Sequence, residues 1–172
     1  MKKVCAWCKR EMDPVRSAPS AGDVITHGIC ESCFLHVLEQ EGLKLRHSLD
    51  GLGVPVLLMQ GEVSVRTGNR FASRALGKTR RDLEGQKSGA VIECIHAKTP
   101  EGCGKTVHCK SCVIRETVKE TFATGKSCVQ VPAYPHVDTA AGVKHVCLRI
   151  STEKVGNQVL LRIDDIGDAD RK

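Results

Sequence analysis

The chain has 172 residues, a formal net charge of +6 and ten cysteines, enough length for one ordinary domain with a small attachment or for one large domain. Its longest apolar run, residues 52–59, contains Gly53 and Pro55 and falls far short of the ~20 residues a membrane-spanning helix needs, so no membrane span is expected. Ten cysteines would suit a secreted disulfide scaffold, but the opening MKKVCAWCKR has a basic pair with no apolar signal region behind it, so a cytoplasmic protein with reduced thiols is expected.

The first element is CAWC at 5–8, answered by CESC at 30–33, a C-x2-C-x21-C-x2-C spacing. Two such knuckles, each offering a pair of thiolates on a tight turn, can close a tetrahedral zinc site around Cys5, Cys8, Cys30 and Cys33 in a segment too small to bury a core. Neither pair is followed by His, which excludes c-type haem attachment. Pro14, Ser17, Pro19, Ser20 and Gly22 mark a loop between the knuckles. Phe34, Leu35 and Leu38 at helical spacing predict a short helix running out of the second knuckle and packing on the site. Together, CAWC and ITHGICESCF resemble the small four-cysteine zinc modules found at the ends of bacterial signalling proteins. Residues 41–53 read as a helical connector, with Gly51 and Gly53 ending it, so a boundary separates a zinc module at 1–40 from a second domain that starts at Val54.

From Val54 the pattern changes to strands and short helices. VPVLLMQ and EVSVRT read as a hairpin joined at Gln60-Gly61, with Val63 and Val65 alternating against Ser64 and Arg66. Asn69 is placed to cap a short helix that Gly77 closes, and Thr79 with Asp82 to cap the next turn. The whole charge excess lies after residue 50, densest over Arg66, Arg70, Arg74, Lys78, Arg80, Arg81 and Lys87. With no aromatic interleaving and no helix-turn-helix signature it reads as a solvated face, and no nucleic-acid partner is expected.

Residues 94–112, CIHAKTPEGCGKTVHCKSC, hold four cysteines, two histidines and two glycines. Cys94, Cys103, Cys109 and Cys112 stand at C-x8-C-x5-C-x2-C, and the last pair has the gap that lets two thiolates face one metal. Gly102 and Gly104 flank Cys103, where a backbone bending around an ion needs positive φ. In order of preference the set is a bound metal or cluster, a redox-active thiol group, or buried packing thiols. Four thiolates fit zinc and an iron-sulfur centre alike. His96 and His108 read as solvated loop residues by default.

A helix with Val113, Ile114, Val118 and Phe122 on one side and Gly125 at its end comes next. Three strands finish the chain: SCVQVPAY, VKHVCLRIS and QVLLRIDDI, the last two joined by a turn at GNQ. Alternation puts Val129, Val131, Val146, Leu148, Ile150, Val159, Leu161 and Ile163 on one core with Phe71, Leu76 and Phe122, and puts Cys128 and Cys147 on a mixed face as inert, half-buried thiols.

Two strands, short helices, a longer helix and three antiparallel strands is the order of the PAS sensor fold. GEVSVRTGNRFASRALG resembles the second strand and following Asn-containing helix of that family, and QVLLRIDDI its last strand. SGAVIECIHAKTPEGCGKTVHCKSCVIRETVKETFATGK is similar to a cysteine-bearing subgroup in which GCG and then CxxC precede the long helix. The resemblance covers 54–168 and implies an α+β fold, a PAS-like antiparallel sheet with short helices on one face. It also implies a ligand or metal-cluster pocket between sheet and helices, signal transfer through flanking helices, a homodimer, and a signalling partner such as a histidine kinase or another output protein. NRFASRALG has no cysteine, so the flavin-attachment motif of part of that family is missing. No output domain is recognised, and the expectation is a sensor or adaptor. An enzyme would need a nucleophile with a paired base; Cys103, Cys109 or Cys112 with His108 can be drawn as one, but nothing locates a substrate, and no catalysis is expected. Two functions are left: a redox or small-ligand sensor working through the second cysteine set, and a zinc-stabilised interaction module whose cysteines only hold its shape.

Overall fold

The computed structural model describes residues 2–5, 8–12, 25–28 and 30–169, and divides the chain into units at 1–47 and 48–172. In the first unit, β1 (Lys2–Cys5) lies between β2 (Glu11–Met12), antiparallel to it, and β3 (Ile25–Gly28), parallel to it. The β1–β2 turn closes on itself: the Cys5 amide donates to the Arg10 carbonyl at 2.8 Å and the Lys9 amide to the Cys5 carbonyl at 3.0 Å, with Lys9 at φ 61°. Strands of two and four residues cannot supply a core, so a cross-link has to hold them. Helix α1 (Glu31–Gly51) begins directly after Cys30 and is unbroken to Gly51, so the helix expected after the second knuckle and the helical connector are one element. The loop expected over 14–22 and the packing expected of Phe34, Leu35 and Leu38 lie outside the described residues and side chains.

In the second unit, β4 (Val56–Met59) and β5 (Val65–Gly68) pair antiparallel, as the hairpin reading expects. Three short helices come after them, α2 (Arg70–Leu76), α3 (Arg80–Leu83) and α4 (Ser88–Val91), then α5 (Val113–Thr124). The chain finishes with β6 (Cys128–Ala133), β7 (His136–Thr139), β8 (Gly142–Val155) and β9 (Gln158–Asp168). The sheet order is β5-β4-β9-β8-β6, with every neighbouring pair antiparallel and β7 hairpinned onto the start of β8. The last strand thus lies in the middle of the sheet, where it joins the β4–β5 hairpin, through β4, to β8. This is the α+β, PAS-like arrangement that the resemblance implies.

Local chemistry sets the element ends. Asn69 Oδ1 accepts the Ala72 amide at 2.8 Å to cap α2, and Gly77 closes that helix in the left-handed region at φ 62°. Thr79 and Asp82 form a reciprocal capping box on α3, and Gly125 at φ 76° ends α5. Strand β4 reads as four consecutive apolar residues because it is interior, and all four are buried. On α5, Ile114, Thr117, Val118 and Thr121 are buried at i, i+3, i+4, i+7 spacing, and the Thr121 hydroxyl meets that of Thr152 on β8 at 2.7 Å. The core joins Leu57, Met59, Val63, Val65 and Leu83 to Ile114, Val118, Leu148, Ile150, Val159 and Leu161, with Leu76, Phe122, Val131 and Val146 packed partly buried at its edge.

Two expectations about the last strands fail for one reason. The β6–β8 register shifts between Cys128 and Val131, with Gln130 at φ 52°. This bulge breaks the alternation. Val129 is therefore 71% exposed instead of in the core. Cys128, paired with the buried Thr152, shares the face of Val131 and approaches the Thr121 hydroxyl at 3.8 Å instead of lying on a mixed face. Beyond Tyr134 the chain forms an additional strand, β7, that the sequence reading does not name.

Candidate metal centre and cysteine-lined cavity

In the first unit the parallel pairing of β1 with β3 brings Cys5 level with Gly28, two residues before Cys30, and α1 carries Cys33 one turn on. The four sulfurs of Cys5, Cys8, Cys30 and Cys33 all lie within 4.8 Å of one another. Cys8 and Cys30 sulfurs are 3.6 Å apart, and the Cys30 amide donates to Cys5 Sγ at 3.4 Å. A tetrahedron of sulfurs about 2.3 Å from one zinc has edges of ~3.8 Å, so the donor set fits one ion. The Cys30 sulfur, then burial, then the sulfurs of Cys8 and Cys5 push the Cys33 thiol up to about 12. Thiols this crowded resist ionising together unless a cation sits among them, and the cluster could hold a metal ion.

In the second unit Cys94, Cys103, Cys109 and Cys112 come from three places and line a single cavity of about 280 Å³. Cys94 is set by its amide, which donates to the Gly89 carbonyl at 2.8 Å, and by a bridge to Val137. Cys103 sits between Gly102 at φ 76° and Gly104 at φ 92°, with its sulfur against Gly89. Cys109 lies in a 3-10 turn, Val107–Ser111, where its sulfur accepts the Gly104 amide at 3.2 Å and lies 3.2 Å from the Thr106 hydroxyl. Cys112 is the N-cap of α5. Ile92, Ile114 and Ala133 give the cavity apolar walls, and His96, His108, Tyr134 and His136 add polar ones.

The thiols are not equivalent. Burial pushes Cys103 up, and burial also pushes Cys112 up against the opposing amides of Arg115 and Ile114. For Cys109 burial acts in the same sense, but the Thr106 hydroxyl, the Gly104 and Thr106 amides and the Arg115 charge outweigh it and hold the thiol below its ordinary value. Cys109 is thus the sulfur best prepared to be a thiolate. His96 and His108, expected as solvated loop residues, stack with ring centroids 4.2 Å apart, and burial followed by the nearby His108 and His136 lowers His96. His136 reaches this cavity only through the β7 hairpin, so no local spacing announces it. Among the described residues no other three metal-ligating atoms approach one another as closely as the first quartet does. The second set surrounds a volume rather than a point.

No protein-family model and no curated protein matches the chain. Among solved structures it is similar to the Rhodobacter sphaeroides LOV protein, with 16% identity, 78% of this chain and 69% of that chain covered, and a TM-score of 0.49. It is also similar to a domain of a sensory box sensor histidine kinase/response regulator from Geobacter sulfurreducens, with 15% identity, 74% and 96% covered, and a TM-score of 0.47. A third is the PAS domain of Bordetella pertussis BvgS, with 12% identity, 77% and 89% covered, and a TM-score of 0.45. Among the described residues no helix is long and apolar enough to cross a membrane.

Proposed function

We propose that the chain is a cytoplasmic sensory module, not an enzyme, in which Cys94, Cys103, Cys109 and Cys112 hold an iron-sulfur centre while Cys5, Cys8, Cys30 and Cys33 hold a structural zinc. The observation that carries this reading is the convergence of four cysteines on one cavity at the N-terminus of α5. A cluster places its thiolates on separate iron corners, whereas one zinc draws four sulfurs to edges of ~3.8 Å. The wider setting of the second set supports the first chemistry, and the close setting of the first quartet supports zinc. Bound there, the cluster would supply sensitivity to oxidant or to a small gas.

The chain's own residues convert that into a change of shape. Gly89 seats Cys103, the Gly104 amide seats Cys109, and Cys112 opens α5, whose Thr121 is tied to Thr152 of β8. Loosening these sulfurs frees residues 94–112 and the start of α5 against the sheet, a two-state element that a partner can read. In this reading the module works as a homodimer and passes its state to a separate signalling protein, such as a histidine kinase.

Anaerobic purification tests it. The expected protein is brown, holds one zinc together with iron and acid-labile sulfide, bleaches in air, and loses hydrogen-exchange protection over residues 89–126 on oxidation. Cys109→Ser and Cys112→Ser should abolish colour and response together. A colourless protein with two zinc ions, equally protected in both conditions, would replace the sensor by a permanently zinc-clipped interaction module.

A further inference from the structure

A second cavity, of about 350 Å³, opens where the β4–β5 turn, the segment before α4, the loop after Cys103 and one face of α5 meet. Its wall carries Lys87, Lys105, Arg115 and Lys119 against one carboxylate, Glu62. Glu62 reaches only Lys87, at 3.5 Å, and is itself 91% exposed. Among the described residues, Lys105 and Lys119 have no ion-pair partner. Four cations drawn from three separate segments repel one another around one concavity, which is not how a solvated helical face is built.

The geometry points to a binding site for a small polyanion, an organic or inorganic molecule bearing at least two phosphate groups. Arg115 and Lys119 stand one turn apart on α5 and present a guanidinium fork and an ammonium to the same space, a combination suited to phosphate oxygens. Arg115 is held in place, its Nη1 donating to the Cys109 carbonyl at 3.5 Å and its Nε lying beside Gly104. Gly104, at φ 92°, leaves that approach free of a side chain. The volume suits a di- or triphosphate group and is too small to enclose a strand of nucleic acid. Ser88 and Cys103 line this cavity and the cysteine-lined one as well, but the anion site stands on its own cations and needs no metal.

Isothermal titration of the full chain with inorganic pyrophosphate, adenosine triphosphate and citrate, at about 50 mM salt, tests the site. Pyrophosphate and adenosine triphosphate should bind at one site per chain, citrate more weakly, and Lys105→Gln/Lys119→Gln should raise the Kd at least tenfold without changing the melting temperature. Lys126→Gln, on an exposed residue outside the cavity, should leave it unchanged. Pyrophosphate binding equal to adenosine triphosphate binding would assign recognition to the phosphates alone; a clear preference for the latter would assign a nucleoside contact in addition. Absence of binding by both, binding untouched by the double variant, or an equal loss in Lys126→Gln would overturn the proposal. So would tighter binding of a single-stranded oligonucleotide of about 20 residues, because the surface would then serve nucleic acid.

Discussion

The Cys103 sulfur lies so close to the Gly89 backbone that a methyl group on Gly89 would stand 2.7 Å from it, with Cys103 Cβ at 3.2 Å and Ala97 Cβ at 3.3 Å. Gly89 is buried within α4, and the neighbours that would have to move are the cysteine loop and the 3-10 turn over Ile95–Ala97. Gly89→Ala should therefore cost about 1–3 kcal/mol by overpacking. On the proposed metal assignment it should also lower metal occupancy of the second cysteine set and leave that of the first quartet unchanged. Urea unfolding with metal analysis of the same sample checks both.

Asn69 is fully buried and makes four hydrogen bonds. Its Oδ1 accepts the amides of Val56 and Ala72, and its Nδ2 donates to the carbonyls of Leu49 and Val54. One side chain thus ties the end of α1, the start of β4 and the cap of α2. Asn69→Ala should destabilise the second unit by about 3 kcal/mol, combining a lost cap with orphaned backbone groups. Asn69→Asp should be worse at neutral pH, because it turns a carboxylate oxygen toward two carbonyls. Chemical denaturation of the two variants gives the order.

Asp50 accepts the Arg80 guanidinium with both oxygens at 2.6 Å and the Arg70 amide at 2.7 Å. Burial raises its pKa, but these donors outweigh burial and hold the carboxyl below the usual aspartate range. A depressed folded-state pKa contributes stability above the unfolded value of about 3.9 and loses it as pH falls through the folded value. Asp50→Asn should thus be less stable at pH 7 by about 1 kcal/mol, since the pair is partly exposed. The two stability curves should converge in acid. A constant gap down to about pH 2 would contradict this origin.

The first quartet makes the simplest metal prediction. Competition with a chromophoric chelator should find one zinc ion that Cys8→Ser abolishes. Structural zinc in peptides of this size contributes about 10–16 kcal/mol of apparent binding energy at neutral pH. Chelation should therefore remove most of the ordered structure of a peptide covering residues 1–47. Identical circular dichroism with and without zinc would count against the site.

What was legible in the sequence is what neighbouring residues decide. The caps at Asn69, Thr79 and Asp82 arise from side chains bonding to nearby backbone, and the left-handed ends at Gly77 and Gly125 and the two-residue turn before Gln158 from the freedom glycine has without a Cβ. The first quartet was legible because a knuckle is a local object. The bulge at Gln130 was not, since nothing in CVQVPA favours positive φ and only pairing with β8 imposes it. His136 and the basic cavity depend on segments that meet only after folding. The bulge is itself testable: Val129→Thr should change stability by no more than about 0.5 kcal/mol, whereas Ile150→Ala should cost about 2–5 kcal/mol.

The placement of β9 has a consequence for how the chain reaches this state. Strands β8 and β9 zip from their tight turn through ten pairs, and β4 with β5 forms a second local hairpin. The sheet is complete only when Val56 meets Arg162 and Met59 meets Val159, contacts of very long sequence separation that carry the largest loop-closure entropy in the fold. Docking of the two hairpins should therefore set the folding rate. Until it happens, Val56–Met59 is a bare edge of four apolar residues, the kind that recruits other chains. On a ribosome that interval lasts until β9 has emerged, and a chain cut short before Gln158 would remain in it and aggregate.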